Sequence, residues 1–107
     1  MDNIVEHTDA AYAVIFVSTK KEDLTGYYEL DDELMQLAQQ QEGFLHYENV
    51  KNGNRSIFIS YWKSEAAIVA WKANSRHVFA KQNAFRWYDR WLSQICKIES
   101  NREYNAK

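Results

Sequence analysis

His77 closes a stretch, SYWKSEAAIVAWKANSRH from Ser60 to His77, that also carries Tyr61, Trp62 and Trp71. An unperturbed imidazole titrates near about pH 6.5, so His77 has the chemistry to take or release a proton at neutral pH. The aromatic residues around it, with Trp87, Tyr88 and Trp91 further on, have the size to wall an apolar pocket. Each also has a structural reading. A tryptophan at a strand end or in a helix most commonly packs in a core with its indole N–H satisfied. A histidine near a helix start can serve the bend there. Trp87, Tyr88 and Trp91 could equally form a dimer interface, where aromatic residues are enriched. His46, between Leu45 and Tyr47, reads as a surface or core histidine, and His7 carries no signal.

These residues must be positioned by elements that the apolar spacing predicts. Ala11 to Ser18 is a β-branched and aromatic run, hence a first strand. From Gly26, the residues Tyr27, Leu30, Leu34, Leu37, Ala38 and Gln41 recur at helical steps, and Gly43 stands in the place of a C-cap. The acidic run Asp31-Asp32-Glu33 is read as the solvated side of that helix. Phe44 to Val50 and Ser56 to Trp62 are strands joined by a tight turn at Asn52-Gly53. Ser64 caps a helix to about Ala73, Asn74-Ser75 offers a fresh cap before a second helical stretch, and Trp91 to Glu99 is a final strand.

The order strand, helix, strand, strand, helix, strand is the α+β ferredoxin-like βαββαβ arrangement, with a four-stranded antiparallel sheet and helices on one face. Both sides of the strands are apolar: Ala13, Ile15 and Val17 on one side of the first, Tyr12, Val14 and Phe16 on the other. A lone monomer would leave one of those faces wet, and soluble monomers tolerate only limited apolar patches. A homodimer with its two sheets facing each other is expected.

Composition removes other classes. A chain of 107 residues with 46% hydrophobic and 15% aromatic content supports a single core, read as a domain over residues 11–104 behind a polar leader over residues 1–10. A net charge of −2 with both signs interspersed offers no basic stripe for nucleic acid or anionic lipid. Neither a targeting signal nor a run of about 20 apolar residues is visible, so no membrane partner and a cytoplasmic location are expected. Cys96, in an apolar strand, is read as a buried thiol. Only Gly26, Gly43 and Gly53 are available for a phosphate loop, no CxxC or HExxH spacing occurs, and no metal or other cofactor is argued.

The segments GFLHYENV, SYWKSEAAIVAWKANSRH and WYDRWLSQICKIE, taken together, resemble the antibiotic biosynthesis monooxygenase family, whose members are dimeric ferredoxin-like α+β barrels. The resemblance covers the chain from Tyr12 to about Tyr104. It implies a monooxygenase that oxidises a small phenolic, anthrone-type or quinol substrate with O₂ and no bound cofactor, the deprotonated substrate being the reductant. His77 would then be the catalytic base, with Trp62, Trp71, Tyr61, Trp87, Tyr88 and Glu48 contacting substrate, and Trp91 and His46 nearby. The chain departs from the family pattern at Ala84, where a glycine is common, and in its NGNRS hairpin.

Two alternatives stand beside this reading. A heme-degrading branch of the same superfamily is similar at Trp71, but the positions matching its other two residues are Lys81 and the apolar region near Ile15. The other alternative is a non-enzymatic small-molecule-binding or structural dimer whose pocket is filled by packed aromatic side chains. Cavity volume separates the classes, because a ligand site needs roughly 300 Å³ or more.

Overall fold

The continuous apolar run after Ala11 forms one of the two central strands of the sheet. In the computed structural model, which describes residues 10–106, the elements are β1 (Tyr12–Lys20), α1 (Tyr27–Gln39), β2 (Phe44–Asn52), β3 (Arg55–Trp62), α2 (Glu65–Lys72), α3 (Ser75–Asn83), a 3-10 turn (Ala84–Arg86) and β4 (Tyr88–Lys97). His7 and all of the polar leader except Ala10 lie outside the described residues; Ala10 itself is buried. The sheet is four-stranded in the order β2-β3-β1-β4, and the pairings are antiparallel. This is the expected ferredoxin-like α+β fold.

Several local expectations hold for the stated physical reasons. The Ser64 hydroxyl accepts from the Ala67 N–H at 3.1 Å, and the Asn74 side chain accepts from the N–H groups of Arg76 and His77 at 2.9 and 3.2 Å. The second cap bends the chain between α2 and α3, since Asn74 is extended with ψ 131°. The β2–β3 hairpin turns one residue later than expected. Asn52 pairs with Arg55, so Gly53 and Asn54 are the two loop residues. Gly53 has φ 63° while no non-glycine among the described residues has positive φ, which is the II′ pattern.

Gly43 is not the C-cap of α1. The helix is capped at Gln40, and Gly43 follows three residues later with φ 88°. Its role is a close approach: a Cβ there would lie 2.6 Å from the Ala67 Cβ of α2, and its carbonyl accepts from the Lys63 N–H at 2.8 Å. Gly43→Ala is expected to lower stability by about 1–3 kcal/mol through overpacking, with the strain of a left-handed backbone added. A urea unfolding midpoint close to that of the unsubstituted protein would contradict this. β4 also starts earlier than expected, at Tyr88, because Tyr88 pairs with Lys20 across a bulge that displaces Asp89.

Strand register sorts the sheet into two faces. Residues directly opposite on neighbouring strands share a side. Tyr12, Val14, Phe16, Ser18 and Lys20 therefore lie with Phe58, Ser60 and Trp62 of β3 toward the helices. Trp62 is 1% exposed and Ile68 of α2 is also buried, together marking the core. Ala13, Ile15 and Val17 lie with Ile57, Ile59 and Tyr61 on the helix-free face. That face leaves Val50, Ile57 and Leu92 67%, 45% and 39% exposed. Cys96, expected to be buried, pairs with Ala13 on this face and is half-buried, because no helix covers it.

Candidate active site

His77 sits in the first turn of α3, where the Asn74 cap takes its main-chain N–H and leaves the side chain to the interior. Its ring stacks on Trp71 of α2 at 4.8 Å and 18° between planes. Among the described residues its buried Nδ1 has no hydrogen-bond partner, and the Trp71 carbonyl accepts instead from the Asn74 N–H at 3.0 Å. Burial, and then the positive charge of Lys81, push the imidazole below its ordinary pKa; the Trp71 backbone works weakly the other way. The folded environment therefore favours the neutral form of the ring. Arg76, beside it, makes a two-point ion pair with Glu33 at 2.8 and 3.0 Å, which fastens α3 to α1.

One turn further along α3, Ala80 borders a cleft between α1 and the start of β4. Its other walls are Tyr27, Leu30, Asp31, Leu34, Trp87 and Tyr88, and its volume is about 50 Å³. Trp87 is anchored, since its indole N–H donates to the Thr25 carbonyl at 2.9 Å. The hydroxyls of Tyr27 and Tyr88 share a hydrogen bond at 3.1 Å, and burial raises the pKa of both. Asp31 is raised as well, first by burial and then by repulsion from Asp32, with Lys20 and Lys51 opposing. Beneath the rings, the Lys20 ammonium lies 5.6 Å from the Tyr27 centroid and 6.0 Å from that of Tyr88.

The residues expected to share one pocket are divided by the sheet. His77, Trp71, Trp87 and Tyr88 belong to the helix side. Tyr61, expected to contact substrate there, points to the opposite face, where its ring stacks on His46 at 6.3 Å. Glu48 follows it, because it pairs with Ile59 on that face. Adjacent residues on a strand face opposite ways, so Tyr61 and Trp62 cannot line the same pocket. Trp62 is on the helix side but is packing: its indole N–H donates to the Ser60 hydroxyl at 2.9 Å and Phe44 meets its ring edge-on at 5.2 Å. Trp91 stacks on Phe16 at 6.0 Å and remains half-exposed at the β4 edge.

Lys20, Tyr27 and Asp31 were not expected at the site. Asp31, read as solvated, is half-buried and lines the cleft. The signal was present in the spacing, since Tyr27, Leu30, Asp31 and Leu34 follow the three- and four-residue steps of one helix face. A buried carboxylate costs stability while it is charged. A folded pKa above the unfolded value makes the native state the better proton binder, so that cost is present at neutral pH and relieved as pH falls through the folded value. Asp31→Asn is expected to raise the melting temperature by a few degrees at neutral pH, with the gain shrinking in acid; an equal gain at every pH in a thermal series would contradict the assignment.

Among the described residues, no group of three His, Cys, Asp or Glu is placed to hold a metal ion, and no helix is long and apolar enough to cross a membrane. The positions relevant to heme degradation are not assembled: Ile15 lies on the helix-free face and Lys81 is exposed.

Comparison with known proteins agrees with the fold. The profile of the family described as Antibiotic biosynthesis monooxygenase matches residues 10–92. The chain belongs to this family. A relative, the uncharacterised protein YqjZ of Bacillus subtilis, is 39% identical over 93 residues, covering 85% of this chain and 82% of its own. Among solved structures, a conserved protein from Methanosarcina mazei superposes with a TM-score of 0.75 at 15% identity, over 88% of this chain and 98% of that one. SnoaB, a cofactor-independent oxygenase from Streptomyces nogalater, does so with a TM-score of 0.72 at 9% identity, over 86% and 96% of the two chains. At those identities the antibiotic biosynthesis monooxygenase fold is what the structures share.

Proposed function

We propose that this protein is a monooxygenase that oxidises a small, electron-rich aromatic substrate of the quinol, phenol or anthrone type with O₂, its own substrate serving as the reductant. The observation that carries the reading is the His77 imidazole, stacked on Trp71, with Nδ1 unpartnered among the described residues and its pKa lowered by burial. A neutral imidazole is the form that accepts a proton. It would take the acidic hydrogen of the substrate and leave an electron-rich anion. That anion reduces O₂; one oxygen atom remains in the product as a carbonyl, and the other leaves as water with two substrate hydrogens. Family membership and the likeness to a cofactor-independent oxygenase support this chemistry.

A second reading has an observation of its own. The cleft of about 50 Å³ is well below the roughly 300 Å³ of a ligand site, which favours a structural module whose pocket is filled by packed aromatic side chains. Oxygen consumption with a panel of quinols and anthrones decides between them. Saturable, protein-dependent uptake supports the oxygenase; neither binding nor uptake supports the structural module.

We further propose that two copies pair through the helix-free sheet faces, which would cover Val50, Ile57 and Leu92. Dimerisation is common in this family. Ile57→Glu puts a charge in the middle of that apolar face and is expected to shift sedimentation from dimer to monomer at micromolar concentration; an unchanged dimer would place the interface elsewhere.

A further inference from the structure

β4 ends the sheet with an edge that the fold leaves open. Its main-chain groups divide by residue parity, and two hydrogen bonds fix which half the sheet uses. The Lys20 N–H donates to the Asn54 carbonyl at 2.8 Å, so the even-numbered residues of β1 turn toward β3. The Ile98 N–H donates to the Ala11 carbonyl at 2.9 Å, so the odd-numbered ones turn toward β4. By the β1–β4 register, Arg90, Leu92, Gln94 and Cys96 then place their N–H and C=O groups on β1. Trp91, Ser93, Ile95 and Lys97 aim theirs out of the sheet, where β4 has no neighbouring strand among the described residues.

The two edges of the sheet are not alike. β2 carries Glu48, Lys51 and a register irregularity between Phe44 and His46, devices that discourage strand pairing. β4 runs from Trp91 to Cys96 without a charge, a proline or a glycine, and Trp91 and Ile95 are 50% and 44% exposed. An uncharged, extended edge of this kind is a template for another strand.

The order of residues selects which strand. Laid antiparallel on its own copy about Ser93, β4 sets Trp91 opposite Ile95, and sets Asp89, which the bulge leaves unpaired with β1, opposite Lys97. Two-fold symmetry makes each of these pairs occur twice. Ser93 meets itself, and the free main-chain groups of Trp91, Ser93 and Ile95 face their counterparts. Moving the axis to Gln94 puts Asp89 against Glu99 and Trp91 against Lys97; moving it to Leu92 puts Asp89 against Ile95. Of the three, the Ser93 axis alone joins opposite charges and sets an aromatic against a branched side chain, the cross-strand pairs that stabilise a sheet.

We propose that β4 is a self-pairing edge: a second copy of this chain adds its own β4 antiparallel about Ser93, joining two four-stranded sheets into one with the helices of both copies on the same side. The contact leaves the helix-free face available, and it rests neither on pairing through that face nor on oxidation. One strand a side is a small interface, in the weak class below about 1,200 Å², so it is expected to form above micromolar concentration.

The test is sedimentation of the full chain from about 10 µM to about 1 mM, joined to amide hydrogen exchange by NMR. Particle mass is expected to double once across that range. The N–H groups of Trp91, Ser93 and Ile95 should slow their exchange as it does, while those of Leu92 and Gln94, already bonded to β1, stay as they are. Ser93→Pro removes an outward N–H and no bond to β1, so it should weaken the association at least about tenfold with the fold kept. Asp89→Lys should weaken it about threefold or more, and Asp89→Lys/Lys97→Asp should restore it. Ile57→Glu, on the helix-free face, should leave both the doubling and the slowed exchange intact. Constant mass over the range overturns the proposal. So does doubling without slowed exchange at Ser93, an undiminished association in folded Ser93→Pro, a double charge variant no better than the single one, or growth beyond a doubling, the mark of β4 meeting β2 head to tail.

Discussion

His77→Ala is expected to lower oxygen uptake with a genuine substrate by at least about a hundredfold, the usual contribution of a positioned general base. The loss should fall on kcat, because the imidazole acts on a proton and is one helical turn away from the cleft wall at Ala80. The fold should survive the change. The Asn74 cap holds the main-chain N–H of residue 77, which alanine retains, and the Arg76–Glu33 pair still fastens α3 to α1. Retained turnover in a folded variant would remove His77 from the mechanism.

The same residue predicts a pH signature that separates chemistry from packing. Its pKa is lowered in the folded state, so the unfolded chain binds the proton more readily. The stability associated with the neutral ring is fully present above the ordinary histidine value and is lost as pH falls through the folded one. Activity of the unsubstituted protein should decline over that acid limb as the base is protonated. In urea unfolding across the same range, His77→Ala should lack the part of the acid slope that His77 contributes. Identical slopes in the two proteins would mean that the imidazole is not held neutral by the fold.

Trp62→Ala is expected to cost about 3–5 kcal/mol, the range for emptying a large aromatic site in a core. Trp62 is 1% exposed, meets the Phe44 ring edge-on, and has its N–H bonded to Ser60. Losses of that size approach the whole stability of a small domain, so a severely lowered urea midpoint is the observation to seek. Trp62→Phe keeps most of the volume and should lose much less, with ligand binding unchanged. A small loss in Trp62→Ala together with weakened ligand binding would return Trp62 to the pocket wall.

The contrast between Trp62 and Tyr61 shows how far residue order reaches. Strand period alone places them on opposite faces, and the dense apolar character of both faces already points to a covered second side. Helix caps at Ser64 and Asn74, the hairpin at Gly53 and the order of elements are likewise local, because each depends on dihedral preferences and hydrogen bonds within a few residues. Asp31 is an intermediate case. Helical spacing puts it beside Leu30 and Leu34, but its charge and acidic neighbours suggest solvent, and only the folded structure shows that it is half-buried at the cleft.

By itself, then, the sequence determined the ferredoxin-like α+β fold, the family and the bend that presents His77. Tertiary structure alone decided which side chains share a site. Lys20 ends β1, Tyr27 and Asp31 belong to α1, and Tyr88 begins β4, so their meeting depends on the β1–β4 register and on the bulge at Asp89. A shift of one residue in that register would turn each β4 side chain to the other face. No spacing along the chain encodes that alignment, and the desolvation that raises Asp31 and lowers His77 exists only once the layers have closed.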